Sequence, residues 1–320
     1  MQFNDLRRWA GYLAPGVTQK LGAYWRSSRR AAPRSPDRIE RGAAMRRQHG
    51  PFCLERLRRF LSDAGMPFPS ILMVHASWDH LPHYEGSPLE FLNSLQAILG
   101  DSGTLCLPAF PSEEGIESPS YVYDVRRTPS ATGLLGEMFR RMPGAVRSAQ
   151  LRAVASRGPL AKILTADHHR SPYSAGRISP YYRIAEQEGW TLTIGLPPTT
   201  STAFHCGEDV LGVDFPVRIY PREPSEYGVR LADGESIRGR VYRVAPRYAY
   251  LCNSAPLVPY FCGLIREQDV CGVPCSLVPA GPFLERLLAL TRAGTHVYRL
   301  PSWRRSPPRG PAAMSDRRAA

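Results

Sequence analysis

Ile71-Leu72-Met73-Val74 constrains the fold more than any other segment. Four consecutive apolar residues leave no polar face for water, so a strand here must be covered on both sides. A helical stretch precedes it, with Leu54, Leu57, Phe60 and Leu61 spaced among arginines from Cys53 to Ala64, and Gly65 and Pro67 end it. A second helix follows, opened by Ser87 and running through Leu99, and Gly103-Thr104-Leu105-Cys106-Leu107-Pro108 begins the next strand. Strand, helix, strand in that order predicts a layered α/β sandwich around a mixed central sheet.

The same signals predict further helices from Ser130 to Arg141, Gly158 to Ala166, Ser179 to Gln187 and Pro282 to Arg292. Strands are expected from Leu151 to Ser156, around Leu192, and from His296 to Leu300. Beyond residue 215 the pattern alternates, as in Gly239-Arg240-Val241-Tyr242-Arg243-Val244, which predicts a smaller C-terminal portion of antiparallel strands and helices. The polar stretch 110–130 is long for a connector and is a candidate substrate lid; its Tyr121, Tyr123, Asp124 and Arg126 could meet a sugar, but a solvated loop is the safer reading of them.

Charge separates the ends from the body. The 320 residues carry 41 Lys and Arg against 28 Asp and Glu, a formal charge of +13. Residues 1–60 and 301–320 hold nearly all of that excess, and the interior is close to neutral. The expected organisation is a basic, weakly ordered arm over 1–50, in which Leu6 to Tyr24 has the spacing of a short amphipathic helix. An α/β domain over 51–300 and a disordered Arg/Pro-rich tail over 301–320 follow. Arginines confined to such ends do not make a basic groove, so no specific nucleic-acid partner is expected. The seven scattered cysteines suit free thiols in a reducing cytoplasm, and no apolar run approaches the length of a membrane span. The chain therefore reads as a cytoplasmic protein with no transmembrane segment.

Thr199-Thr200-Ser201-Thr202-Ala203-Phe204-His205-Cys206-Gly207-Glu208 follows the apolar run Thr191 to Leu196, and so reads as a strand, a hydroxyl-rich turn and a helix start. His205 and Glu208 are three apart and share a helix face, where the carboxylate can orient the imidazole. Two readings stay open on this pattern alone: a capped helix with a surface His-Glu pair, or an oriented imidazole that takes a proton from an attacking amine.

Other short motifs recur around it. Met73-Val74-His75-Ala76-Ser77 puts a histidine at a strand end, where open α/β sheets place ligands. Thr128-Pro129-Ser130-Ala131-Thr132-Gly133 leads into Leu134-Leu135-Gly136-Glu137-Met138-Phe139-Arg140-Arg141 and then Pro143-Gly144-Ala145-Val146-Arg147-Ser148. Gly158-Pro159-Leu160-Ala161 and Ser179-Pro180-Tyr181 follow. In that order and spacing the chain resembles the aminoglycoside 3-N-acetyltransferase family of antibiotic N-acetyltransferases over about residues 53–300.

The resemblance implies an α/β fold distinct from the general acetyltransferase superfamily, and transfer of acetyl from acetyl-CoA to a primary amine of an aminoglycoside or related amino sugar. It puts His205 forward as general base, Glu208 as its orienting partner and His75 as a second catalytic histidine. Ser77, Thr202, Gln150 and Arg147 fall on the acetyl-CoA side, with Thr202 as hydroxyl donor, and Arg147 or Arg152 could meet CoA phosphates. Unpaired N–H groups at the helix start would face the oxyanion. No metal is expected. Where the family carries His-Pro after the Arg-Ser pair, this chain has Ala149-Gln150-Leu151-Arg152. Two other outcomes fit the same scaffold: a catalytically degenerate relative that acts as a binding or scaffold protein, and an amino-sugar acyltransferase in polysaccharide or secondary-metabolite biosynthesis. His168 and His169 read as surface or helix-end residues, and Cys206 as a packing residue, since direct transfer needs no covalent enzyme intermediate.

Overall fold

β1 (Ile71–Ala76) is the centre of a seven-stranded mixed sheet in a computed structural model that describes residues 37–298 apart from 117 and 119. It pairs in parallel with β2 (Thr104–Pro108) on one side and β6 (Trp190–Ile194) on the other. Beyond β2 lie β5 (Val154–Arg157) and then β4 (Val146–Arg147), both antiparallel to their neighbours. Beyond β6 lie β10 (Val273–Pro279) and β9 (Arg266–Val270), again antiparallel. The sheet is thus a parallel core of three strands with antiparallel wings.

Burial of β1 on both sides follows from its sequence. Leu72 and Val74 join a core with α2 (Leu54–Asp63) and α3 (Pro88–Leu99), while Ile71 and Met73 face a second core with α6 (Pro180–Glu186) and α9 (Ala280–Arg292). Ser87 forms a reciprocal capping box with Glu90 at the start of α3, worth about 1 kcal/mol by the usual cost of losing such a cap.

Several expectations shift in the structure. Residues 38–49, placed in the weakly ordered arm, form α1 (Arg38–His49), whose Arg38 donates to the carbonyls of Trp78 and Leu81. Gly42 seats that helix, since a Cβ there would meet the Pro82 oxygen at 2.4 Å. Between β2 and β4, the helix expected from Ser130 to Arg141 is only α4 (Leu134–Phe139). The Ser130 and Thr132 hydroxyls bond one another, and Thr132 donates to the Pro108 carbonyl, which holds the preceding turn non-helical.

The antiparallel pairing expected beyond residue 215 forms, but the small sheet it builds also recruits an earlier segment. β7 (Ser225–Arg230) and β8 (Ser236–Val241) form a hairpin that takes β3 (Val122–Asp124) as a parallel partner, making a separate three-stranded sheet. The 110–130 stretch is therefore tied down by β3 instead of hanging free as a lid. Tyr123 is fully buried and donates to the Ser148 carbonyl, and Tyr121 donates to the Ser112 carbonyl. The last expected strand is a single bridge between Cys252 and Tyr298, and its residues 299 and 300 lie outside the described residues. The Leu6–Tyr24 helix and the 301–320 tail lie outside them as well. Among the described residues no helix is long and apolar enough to cross a membrane.

Candidate active site

β6 ends at Ile194, and the next residue, Gly195, adopts φ +67° where a Cβ would meet His80 Cβ at 2.4 Å. Only glycine lets the chain leave the sheet there. Two short 3-10 turns follow, Pro198–Thr200 and Thr202–His205, before α7 (Cys206–Leu211). Ser201 Oγ accepts from the Ala203 N–H at 3.3 Å and caps the second turn. His205 thus closes a 3-10 turn instead of lying within the helix, and in the turn ahead of that helix the Ala203 N–H is already engaged by Ser201.

The pairing nevertheless forms. His205 Nδ1 lies 2.6 Å from Glu208 Oε1, and Tyr298 Oη donates to the same oxygen at 3.2 Å. Glu208 is buried at 2% exposure, whereas 37% of the His205 side chain stays accessible. Burial pulls the imidazolium down, but the charge and hydrogen bond of Glu208 outweigh it and raise the His205 pKa above the ordinary histidine value. With Nδ1–H donated to the carboxylate, Nε2 is left for a partner in the cleft.

His205 lines a cleft of about 370 Å³ with Glu208, Asp209, Arg152, Tyr220 and Tyr298. It also lines an adjoining hollow of about 200 Å³ with Phe110, Arg152, Thr200 and Thr202. A third cavity, of about 160 Å³, holds His75, Thr132, Thr200, Phe110 and Thr202. Thr202 lines all three, so its side chain stands where the His75 cavity meets the His205 cleft.

His75 occupies the register position opposite Thr193 on β6 and is 5% exposed. Its Nε2 is buried without a hydrogen-bond partner among the described residues. Burial lowers its pKa to about 4, which keeps the ring neutral near pH 7. A neutral imidazole with an unsatisfied nitrogen in a hollow is equipped to bond a polar atom of a ligand.

The remaining sequence-derived residues fall elsewhere. Arg147 is buried, with Nε donating to the Ala109 carbonyl at 2.8 Å and an Nη donating to the Thr128 carbonyl at 2.6 Å, beneath the Tyr123 ring. It fixes loops and does not line the cleft. Gln150 is fully buried, its amide donating to Ser174 Oγ and its carbonyl accepting the Arg152 N–H. It shapes the wall from behind. Ser77 precedes the 3-10 turn Trp78–His80 and lines none of these three hollows.

Three site residues escaped the sequence reading. Asp209 accepts from the Ala175 N–H at 2.6 Å and from the Tyr220 hydroxyl, and burial beside Glu208 raises its pKa to about 6. Tyr220 and Tyr298 come from distant segments, and no local pattern announces them. His168, read as a surface residue, is fully buried: Nε2 meets the Ser174 carbonyl at 2.8 Å and Nδ1 meets Ser148 Oγ at 2.9 Å. Cys206 is buried and its thiol is pushed well above the ordinary value, which suits packing and not nucleophilic attack. Among the described residues no group of three or more His, Cys, Asp or Glu is placed to hold a metal ion.

Comparison with known proteins bears on this arrangement. The family model described as aminoglycoside 3-N-acetyltransferase matches residues 73–290. Aminoglycoside N(3)-acetyltransferase IV of Salmonella sp is 28% identical over 222 residues, covering 66% of this chain and 81% of that protein. The crystal structure of aminoglycoside acetyltransferase AAC(3)-Xa superposes with a TM-score of 0.66 at 22% identity, covering 81% of this chain and 98% of that one. AAC-IIIb in its binary complex with CoASH superposes with a TM-score of 0.60 at 21% identity, covering 74% and 95%.

Proposed function

Because the chain belongs to the aminoglycoside 3-N-acetyltransferase family, and is an acyltransferase by that membership, we propose that it moves the acetyl group of acetyl-CoA to a primary amine of an aminoglycoside or related amino sugar. The observation that carries this reading is the 2.6 Å contact between His205 Nδ1 and Glu208 Oε1, with His205 lining two adjoining hollows. One hollow holds the acyl donor and another the amine.

The chemistry follows from the pair. His205 Nε2 takes a proton from the acceptor nitrogen as that nitrogen bonds to the thioester carbon, and Glu208 stabilises the imidazolium that forms. In the tautomer with hydrogen on Nε2, His75 donates to the developing oxyanion, and the Thr202 hydroxyl is the second donor. A preorganised donor of this kind is commonly worth about 3 kcal/mol of barrier. The tetrahedral intermediate then breaks its carbon–sulfur bond, and the departing CoA thiolate recovers the proton from His205. Nothing passes through a covalent enzyme intermediate, so Cys206 has no part to play.

The fold is taken as distinct from that of the general acetyltransferase superfamily, and the seven free cysteines favour a cytoplasmic setting. Thiol release from acetyl-CoA, followed across a panel of amino sugars and aminoglycosides, tests the reading. Turnover with any of them supports it. No turnover together with no acetyl-CoA binding by calorimetry would favour a scaffold role instead.

A further inference from the structure

The carboxylates that line the 370 Å³ cleft are already engaged. Glu208 holds His205 and Tyr298, and Asp209 holds Tyr220 and the Ala175 N–H. Glu113 pairs with Arg243 at 3.5 Å. An acceptor with several ammonium groups would have to share these oxygens with the partners they already hold.

Arg152 is in the opposite position. It is exposed, lines both the cleft and the hollow beside His205, and packs its guanidinium over the Phe110 ring at 5.1 Å. Among the described residues it forms no salt bridge. Its backbone is held from behind by Gln150, whose carbonyl accepts the Arg152 N–H at 2.8 Å. The segment that departs from the family's His-Pro pattern therefore builds a turn that presents a cation to the cleft.

We propose that the acceptor is an anionic amine, a sugar carrying a phosphate or carboxylate, and that Arg152 holds its charge while His205 serves its nitrogen. The proposal rests on the acyltransferase reading above and narrows its substrate class. Guanidinium is suited to the task, because its planar fork grips phosphate and carboxylate oxygens in pairs. The tilted ring pair Tyr220–Tyr242, with centroids 5.3 Å apart, lines the same cleft and gives a sugar ring a flat wall.

The test uses the full chain and three acceptors with acetyl-CoA: glucosamine, glucosamine phosphorylated on its primary hydroxyl, and gentamicin as the polycation. Phosphorylated glucosamine is expected to exceed both others in kcat/KM by about tenfold or more, the scale of one charge-assisted contact. Arg152→Gln should reduce its advantage over glucosamine to within about threefold through the acceptor KM, and Arg152→Glu should turn the preference toward the cation. The proposal is overturned if gentamicin is preferred, or if Arg152→Gln raises the KM for acetyl-CoA and leaves the acceptor ratio alone. Absence of turnover with every amine, together with no acetyl-CoA binding, would defeat the acyltransferase reading. Calorimetry would still decide the charge preference, since tighter binding of phosphorylated glucosamine than of gentamicin upholds it and the reverse order sinks it.

Discussion

Glu208 and Asp209 are consecutive, both buried in the first turn of α7, and turn to different partners. Glu208 reaches His205 and Tyr298, while Asp209 reaches Tyr220 and the Ala175 N–H. One carboxylate tunes the base and its neighbour fastens the wall behind it, so substitutions at the two positions should separate activity from stability.

Glu208→Gln should remove the charge that raises the His205 pKa while keeping a hydrogen-bond acceptor. A base with a raised pKa loses activity as pH falls through that pKa. The acid limb of kcat/KM should therefore lie above the ordinary histidine value of about 6.5 in the wild type and move down in the variant. Rate–pH profiles check this, and an acid limb that stays in place would count against the pair.

Asp209→Ala should remove both acceptor oxygens, leaving the Tyr220 hydroxyl and the Ala175 N–H unsatisfied. Expected destabilisation is about 1–3 kcal/mol in urea unfolding, the usual cost of a buried unpaired polar group. An unchanged midpoint would show that water or a local shift replaces the lost contact.

His75 and His168 both have pKa values lowered to about 4 by burial, so between about pH 6.5 and 4 the unfolded chain binds more protons than the folded one. Stability from these two groups is complete above the unfolded value and declines as pH falls toward 4. Each contributes on the order of 3 kcal/mol to that decline at most. His168→Gln, compared with wild type at pH 7 and pH 4.5, should show a shallower acid loss despite a lower starting stability. Equal slopes would contradict the buried neutral ring.

Cys206→Ala should retain turnover within about threefold and cost about 1–2 kcal/mol of stability, since the side chain packs without meeting substrate. Unfolding curves and thiol release measure the two quantities. Abolished transfer in a folded Cys206→Ala protein would instead indicate a covalent acyl-enzyme.

The sequence made the central sheet legible because Ile71 to Val74 of β1 and Leu105 to Leu107 of β2 are unbroken apolar runs, and α3 because Ser87, Pro88 and Glu90 form a complete start signal. The His205–Glu208 pair was legible because its geometry is local, an i, i+3 spacing that survives even though His205 falls in a 3-10 turn. What was hidden depends on distant segments. His168 sits among polar neighbours in sequence, but tertiary packing gives it Ser148 and the Ser174 carbonyl. Arg147 lies beside family-like residues, yet folding covers it with loop carbonyls. Tyr220 and Tyr298 reach the site from beyond α7, and no periodicity encodes such a return.

The most direct test of the account is kcat/KM for CoA thiol release from acetyl-CoA by wild-type protein and by His205→Ala, with the amine that supports the fastest wild-type turnover. A general base predicts a loss of about a hundredfold or more with the fold and acetyl-CoA binding retained. An unchanged kcat/KM in the variant would contradict the account.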